Sequence, residues 1–166
     1  MSFLYNDEYI NVISNILKNK EFNKLKTIAH HDSNRMIHSL KVSYYSYKLS
    51  KKIGLDYKEA ARGGLLHDFF FIKYDLSNRE KAKLLKDHPF IAVKNAKALF
   101  DINDKEKNII ESHMFPAGKV LPKHSESWVV NIVDKGVSLV ELISKWKYKT
   151  STVLGIWILL LLNYMK

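Results

Sequence analysis

The stretch Gly63-Gly64-Leu65-Leu66-His67-Asp68 decides how this chain is read. Two glycines, preceded by Ala60 and Ala61 and followed by two leucines, describe a close-packed helix heading into a core. It then delivers two strong metal-ligating side chains in succession. Neighbouring residues inside a helix point about 100° apart, so both reach one ion only where the helix is ending. Phe69-Phe70-Phe71 follows at once. A buried carboxylate without a partner is costly or takes up a proton. A cation removes that cost.

Outward from this stretch, periodicity predicts helix nearly everywhere and an all-α fold. Tyr9, Ile10, Ile13, Ile16 and Leu17 mark a first amphipathic helix, and a weaker one spans about Glu21 to His30. The Asp32-Ser33-Asn34 cluster offers a cap for the next helix, whose inward face carries His38, Val42, Tyr45, Leu49 and Ile53 and which Gly54 ends. Asp56 with Glu59 reads as a capping-box variant opening the helix that delivers His67 and Asp68. Ser77 with Glu80 opens a short lysine-rich helix, and His88-Pro89 starts another that buries Val93, Ala96 and Phe100. Asn103 with Glu106 caps the next, which reaches His113, and Met114–His124 reads as loop. A helix from about Ser125 to Trp146 is expected to bury Val130, Val133, Val137 and Val140.

The 166 residues suit one domain, over 1–150 with a motif core at 30–145, followed by an apolar tail at 151–166. The unbroken apolar run Gly155–Leu162 is far short of the roughly 20 residues of a membrane span. The tail is therefore expected to be a helix packed on the domain or at a subunit interface of a homo-oligomer, with Thr150–Thr152 as its hinge. Cysteine is absent, which excludes disulfides, thiolate zinc sites and thiol nucleophiles and suits the cytoplasm. The N-terminus carries acids and lacks a signal peptide's basic and apolar regions. A formal charge of +10 favours anionic partners. No basic recognition helix or zinc-finger pattern is present, so sequence-specific nucleic-acid binding is not expected.

Six residues carry the chemistry: His38, His67, Asp68, His88, His113 and Asp134. Taken singly, His38 reads as a hydrogen-bonded core histidine, His88 as a helix-start residue and His113 as a favourable helix-end residue. Asp134 is harder to dismiss, because it sits mid-helix in Val-Val-Asn-Ile-Val-Asp-Lys-Gly-Val. Four imidazoles and two carboxylates on separate helical segments are what a site with two metal ions requires. Such donors without sulfur suit iron or manganese first, with cobalt, nickel or zinc as alternatives, rather than calcium.

The order His38 … His67-Asp68 … Asp134 resembles the HD-domain superfamily of metal-dependent phosphohydrolases. The phrases that carry the likeness are Arg-Met-Ile-His-Ser-Leu-Lys-Val (35–42), Ala-Ala-Arg-Gly-Gly-Leu-Leu-His-Asp (60–68), His-Pro (88–89), Glu-Ser-His-Met (111–114) and Val-Asp-Lys (133–135). The resemblance implies a helical bundle with Asp68 bridging two metals, His38, His67 and Asp134 holding one and His88 and His113 the other. Two departures stand out. Many members follow His-Asp with Ile-Gly-Lys, whose lysine contacts phosphate; phenylalanine fills 69–71 here, leaving Lys73 as substitute. The glycine-tyrosine-proline signature of the cyclic-di-GMP branch is absent after His113.

The implied activity is hydrolysis of a phosphate ester or anhydride, in a small nucleotide-like substrate, by a metal-activated water. Asp68, Arg35 and Lys135 are the candidate catalytic residues, and Arg35, Lys73 and Lys135 the candidate phosphate contacts, with His124 further off. Phe69–Phe71, Met114 and Phe115 are candidates for pocket walls or plain core. Two other readings use the same residues: a di-iron oxygenase on this fold, and a non-catalytic nucleotide-binding signalling module.

Overall fold

Asn6 accepts a hydrogen bond from the backbone of Tyr9 and so opens the first helix, α1 (Asp7–Leu17). The computed structural model describes the backbone of residues 6–27, 29–30, 33–71 and 76–164, with side chains for all of these except 29–30, 33–34 and 147–164. After α1 come a single turn α2 (Lys20–Asn23) and a 3₁₀ turn (Lys24–Thr27). Two-residue strands β1 (Ala29–His30) and β2 (Ser33–Asn34) pair antiparallel. Five longer helices follow among the described residues: α3 (Arg35–Lys52), α4 (Tyr57–Leu66), α5 (Asn78–Leu99), α6 (Asp104–Ser112) and α7 (Ser125–Tyr164). The expected all-α class holds, and the small ladder takes the place of the end of the weak helix expected up to His30.

Both capping boxes, Ser77 with Glu80 and Asn103 with Glu106, form with reciprocal hydrogen bonds. Asp56 caps α4 through the amides of Lys58 and Glu59, but its own backbone N–H donates to Glu126 at 3.0 Å instead of to Glu59. Gly54 takes the left-handed conformation at φ 77° where α3 ends.

Four boundaries or faces differ from expectation. Pro89 lies inside α5 rather than opening a new helix, so residues on both sides of it share one axis. α7 passes through Thr150–Thr152 without the anticipated hinge. The third difference concerns the inward face of α3. Tyr45, Leu49 and Ile53 are exposed, while Ser39, Ser43, Ser46 and Ser50 are buried. Close approach of α4 explains this: a Cβ on Gly64 would lie 3.3 Å from the Ser43 backbone, leaving no room for large side chains between the axes. Ser43 satisfies its hydroxyl on the carbonyl of Ala61 at 2.7 Å. On α7, Val140 likewise points to solvent, and the carboxylates Asp134 and Glu141 take inward positions beside Val130 and Val137.

The main core gathers Tyr9, Ile13, Ile16, Phe22, Leu25, Leu65, Leu66, Phe69 and Ile110, all fully buried. Burial of each such leucine or isoleucine contributes about 1.5–3 kcal/mol. A second, smaller cluster joins Val42, Ala60, Ile109, Val130 and Val137 where α3, α4, α6 and α7 meet. These four helices, together with α5, hold the termini and faces that carry the six histidines and aspartates. Among the described residues no helix is long and apolar enough to cross a membrane.

Candidate metal centre

α4 stops at Leu66, so His67 is its C-cap and Asp68 follows as the chain leaves the helix. That ending turns two consecutive side chains toward one place, as the opening motif requires. His38 comes from α3, His88 from the middle of α5, His113 from the C-cap of α6 and Asp134 from α7. All six are buried. Their donor atoms form three overlapping groups, His38 with His67 and Asp68, His67 with His113 and Asp134, and Asp68 with His88 and His113, each within 4.8 Å.

Asp68 stands between two sets. Its Oδ1 lies 3.2 Å from His88 Nε2 and 3.8 Å from His113 Nε2, while its Oδ2 lies 3.8 Å from His67 Nε2. Asp134 Oδ1 lies 3.0 Å from His38 Nε2 and 3.5 Å from His67 Nε2.

The Nδ1 atoms decide what the inner nitrogens can do. His67, His88 and His113 each place Nδ1 on the carbonyl oxygen three residues earlier, Gly64 at 2.7 Å, Leu85 at 2.6 Å and Ile110 at 2.8 Å. A carbonyl only accepts, so these Nδ1 atoms carry the proton and the neutral rings present bare Nε2 lone pairs to the centre. Yet Nε2 of His88 and Nε2 of His113 are 2.9 Å apart. Two lone pairs so close repel unless a proton or a cation sits with them. Two imidazoles sharing one ion at metal–nitrogen distances of about 2.0–2.1 Å hold their nitrogens roughly 3 Å apart. The donors therefore fit a divalent transition metal by type, number and spacing.

A proton at His67 answers the two carboxylates, though not the His88–His113 pair. Burial disfavours a charged His67, but the Asp68 and Asp134 carboxylates outweigh it and raise its pKa to about 9. Burial, reinforced by the positive charge of His67, pushes His113 down to about 4. Burial also opposes ionisation of both aspartates. The imidazoles reverse the sign, His67 foremost at Asp68 and His38 foremost at Asp134, and hold both well below the usual carboxylate range.

The centre opens into a cavity of about 310 Å³ walled by Phe70, Leu85, Met114 and Ser138, with Arg35 beside Asp68. Arg35 is almost wholly buried. Its guanidinium stacks on the Phe70 ring at 3.8 Å, donates to the Phe70 carbonyl at 2.7 Å and holds Nε 4.0 Å from Asp68 Oδ2. Lys135 is placed differently: its ammonium donates to the carbonyls of His113 at 3.3 Å and Asn131 at 3.4 Å, outside the cavity lining. Lys73 lies outside the described residues. Phe69 belongs to the core, Phe71 is partly exposed, Phe115 packs on Trp128, and His124 gives its carbonyl to the first turn of α7.

Sequence reasoning missed Glu141, whose Oε2 lies 3.0 Å from His38 Nδ1. Its one signal is position, since it falls two helical turns after Asp134, between Leu139-Val140 and Leu142-Ile143.

A helical bundle whose buried histidines and aspartates converge from five helices defines a class of metal-binding domain. The model of the HD domain family matches residues 35–136, most of the chain, and the protein belongs to that family. The family consists largely of metal-dependent hydrolases. Neither curated proteins nor solved structures yielded a match.

Proposed function

We propose that the protein is a metal-dependent phosphohydrolase acting on a small, nucleotide-like phosphate ester through a metal-activated water. The single observation that carries the reading is the placement of Asp68, with one carboxylate oxygen toward His88 and His113 and the other toward His67. His38, His67 and Asp134 would hold one divalent cation and His88 and His113 a second, with Asp68 offering an oxygen toward each set. Such cations, iron or manganese by preference, would supply charge to phosphoryl oxygens and acidify water.

The chain's own residues do the rest. Phosphoryl transfer asks mainly for positioning and charge complementarity, so no side-chain nucleophile is needed. Arg35 supplies a fixed cation at the cavity floor, aimed by its stack on Phe70. Phe70, Leu85 and Met114 give the leaving group an apolar wall that excludes water. Lys135 steadies the carbonyl of His113 and thereby the end of α6.

The test is phosphate release from a panel of nucleoside monophosphates and aryl phosphate mono- and diesters, with metal-loaded protein under anaerobic conditions. Turnover by wild type and background rates for Asp68→Ala support the proposal. Equal slow release by both proteins overturns it in favour of a binding module. Oxygen consumption by an iron-loaded, coloured protein that hydrolyses nothing overturns it in favour of an oxygenase.

A further inference from the structure

Three of the four inner histidines lean on their own helices. The Nδ1 protons of His67, His88 and His113 go to neutral carbonyl oxygens three residues back. His38 is the exception. Its Nδ1 meets the Glu141 carboxylate at 3.0 Å, across from α3 to α7. The other oxygen of Glu141 accepts from Lys41 Nζ at 2.6 Å, and Glu141 itself is 7% exposed. Lys41 lies one helical turn after His38 on α3, so His38, Lys41 and Glu141 form a charge-compensated clamp between the two helices.

An imidazole whose remote N–H is held by a carboxylate is a more basic ligand than one held by an amide carbonyl, and its ring cannot rotate freely. The Lys41 ammonium, 2.6 Å from the other oxygen, fixes that carboxylate in place and compensates its charge. The clamp acts on one half of the centre alone, because Glu141 reaches none of the other histidines among the described contacts.

We infer that the centre is built unequal: the position served by His38, His67 and Asp134 holds its divalent cation more tightly than the one served by His88 and His113, and Glu141, fixed by Lys41, sets the difference. This rests on the two-cation reading above. Glu141 is a positioning residue in it, acting through His38. One ion is then resident, while the other exchanges with the medium.

The test is titration of the metal-stripped full chain with cobalt(II), followed by calorimetry and by visible absorption. Wild type is expected to fill in two separated steps. Glu141→Gln, which keeps an acceptor oxygen but loses the charge, weakens the tighter step by about 10–100-fold and leaves the weaker step in place. Lys41→Gln, on a partly exposed residue whose loss leaves the core untouched, weakens the same step in the same direction, and Lys41→Arg restores it. Two equivalent ions in wild type, or equal weakening of both steps by Glu141→Gln, overturns the inference while leaving the two-cation reading intact. If Glu141→Gln does not fold, an unchanged tighter step in Lys41→Gln overturns it alone. A wild type that binds no cobalt overturns both.

Discussion

His88 Nδ1 lies 2.6 Å from the carbonyl oxygen of Leu85, the acceptor that Pro89 cannot reach for want of an N–H. In an unbroken helix the residue at 89 would donate to that oxygen. The proline thus frees a carbonyl inside α5, and the imidazole beside it takes the vacancy and is aimed by it. Pro89→Ala returns the competing donor. The helix gains up to about 3 kcal/mol from losing an interior proline, so the melting temperature rises. His88 loses its tether, and the weaker metal step is expected to weaken further. A variant that melts higher yet binds metal unchanged would show that the tether does not aim the ring.

Removing donors should lower metal content in units. His88→Ala with His113→Ala is expected to take the stoichiometry from two ions per chain to one, read by elemental analysis after desalting. His38→Ala with Asp134→Ala is expected to remove the tighter ion. Loss of all metal in the first double variant would mean that the six donors serve one ion.

Much of this centre was legible because desolvation makes a buried imidazole or carboxylate conspicuous against apolar neighbours. His38 beside Leu40 and Val42, and Asp134 within a run of valines, stand out for that reason. Glu141 did not stand out, since a glutamate on the expected helix from Ser125 to Trp146 reads as surface until the facing histidine is known. The inward serines of α3 were hidden by the opposite rule. Hydrophobic periodicity assumes that large apolar residues go inside, but the approach of Gly64 to Ser43 admits only small ones. Pro89 misled through its ordinary preference for a first helical turn, which His88 overrides by satisfying the freed carbonyl.

Gly63 and Gly64 are expected to differ sharply when replaced by alanine. A Cβ on Gly63 would lie 2.6 Å from Ile109 Cγ2 and 2.9 Å from its Cβ, a clash with a branched, buried side chain. Overpacking of this kind costs about 1–3 kcal/mol, while the gain in helix propensity returns about 0.5–1 kcal/mol. Gly63→Ala should therefore destabilise the fold by roughly 1–2 kcal/mol in urea titration, and Ile109→Ala should relieve part of that cost in the double variant. At Gly64 the nearest atom is the backbone Cα of Ser43 at 3.3 Å, so α3 and α4 need part by only a few tenths of an ångström and the loss is smaller than at Gly63. Equal losses at both positions would refute the packing argument.

Acid should loosen the joint between α1 and α3. Glu8 is hydrogen-bonded by Lys51, then by the hydroxyl of Tyr47 at 2.7 Å and by Tyr57, which brings its pKa from 4.5 to about 2. A carboxylate depressed on folding stabilises the folded state fully above its unfolded pKa and loses that contribution as pH falls through its folded value. The window here is pH 4.5 down to 2. The group is exposed, so the effect is small and screened by salt. The stability of wild type minus that of Glu8→Gln is expected to shrink across this window. A constant difference would place the contribution elsewhere.

Arg35 offers the sharpest separation between a structural and a substrate-facing cation. Burial favours loss of its charge, while Asp68 opposes that loss, and among the described residues its Nε has no hydrogen-bond partner. That Nε is sealed from solvent with Asp68 Oδ2 4.0 Å away, so a ligand oxygen in the cavity meets the guanidinium only at its cavity-lining edge. Arg35→Lys keeps a positive charge but gives up the fork and most of the stack on Phe70. A hydrogen bond to a charged group contributes about 1.5–3 kcal/mol net, so inhibition by inorganic phosphate should weaken by roughly 10- to 100-fold. Metal stoichiometry should stay at the wild-type value, because Arg35 donates no ligand atom. If phosphate affinity is unchanged while the melting temperature falls, Arg35 serves only to neutralise Asp68 and to pin the Phe70 carbonyl.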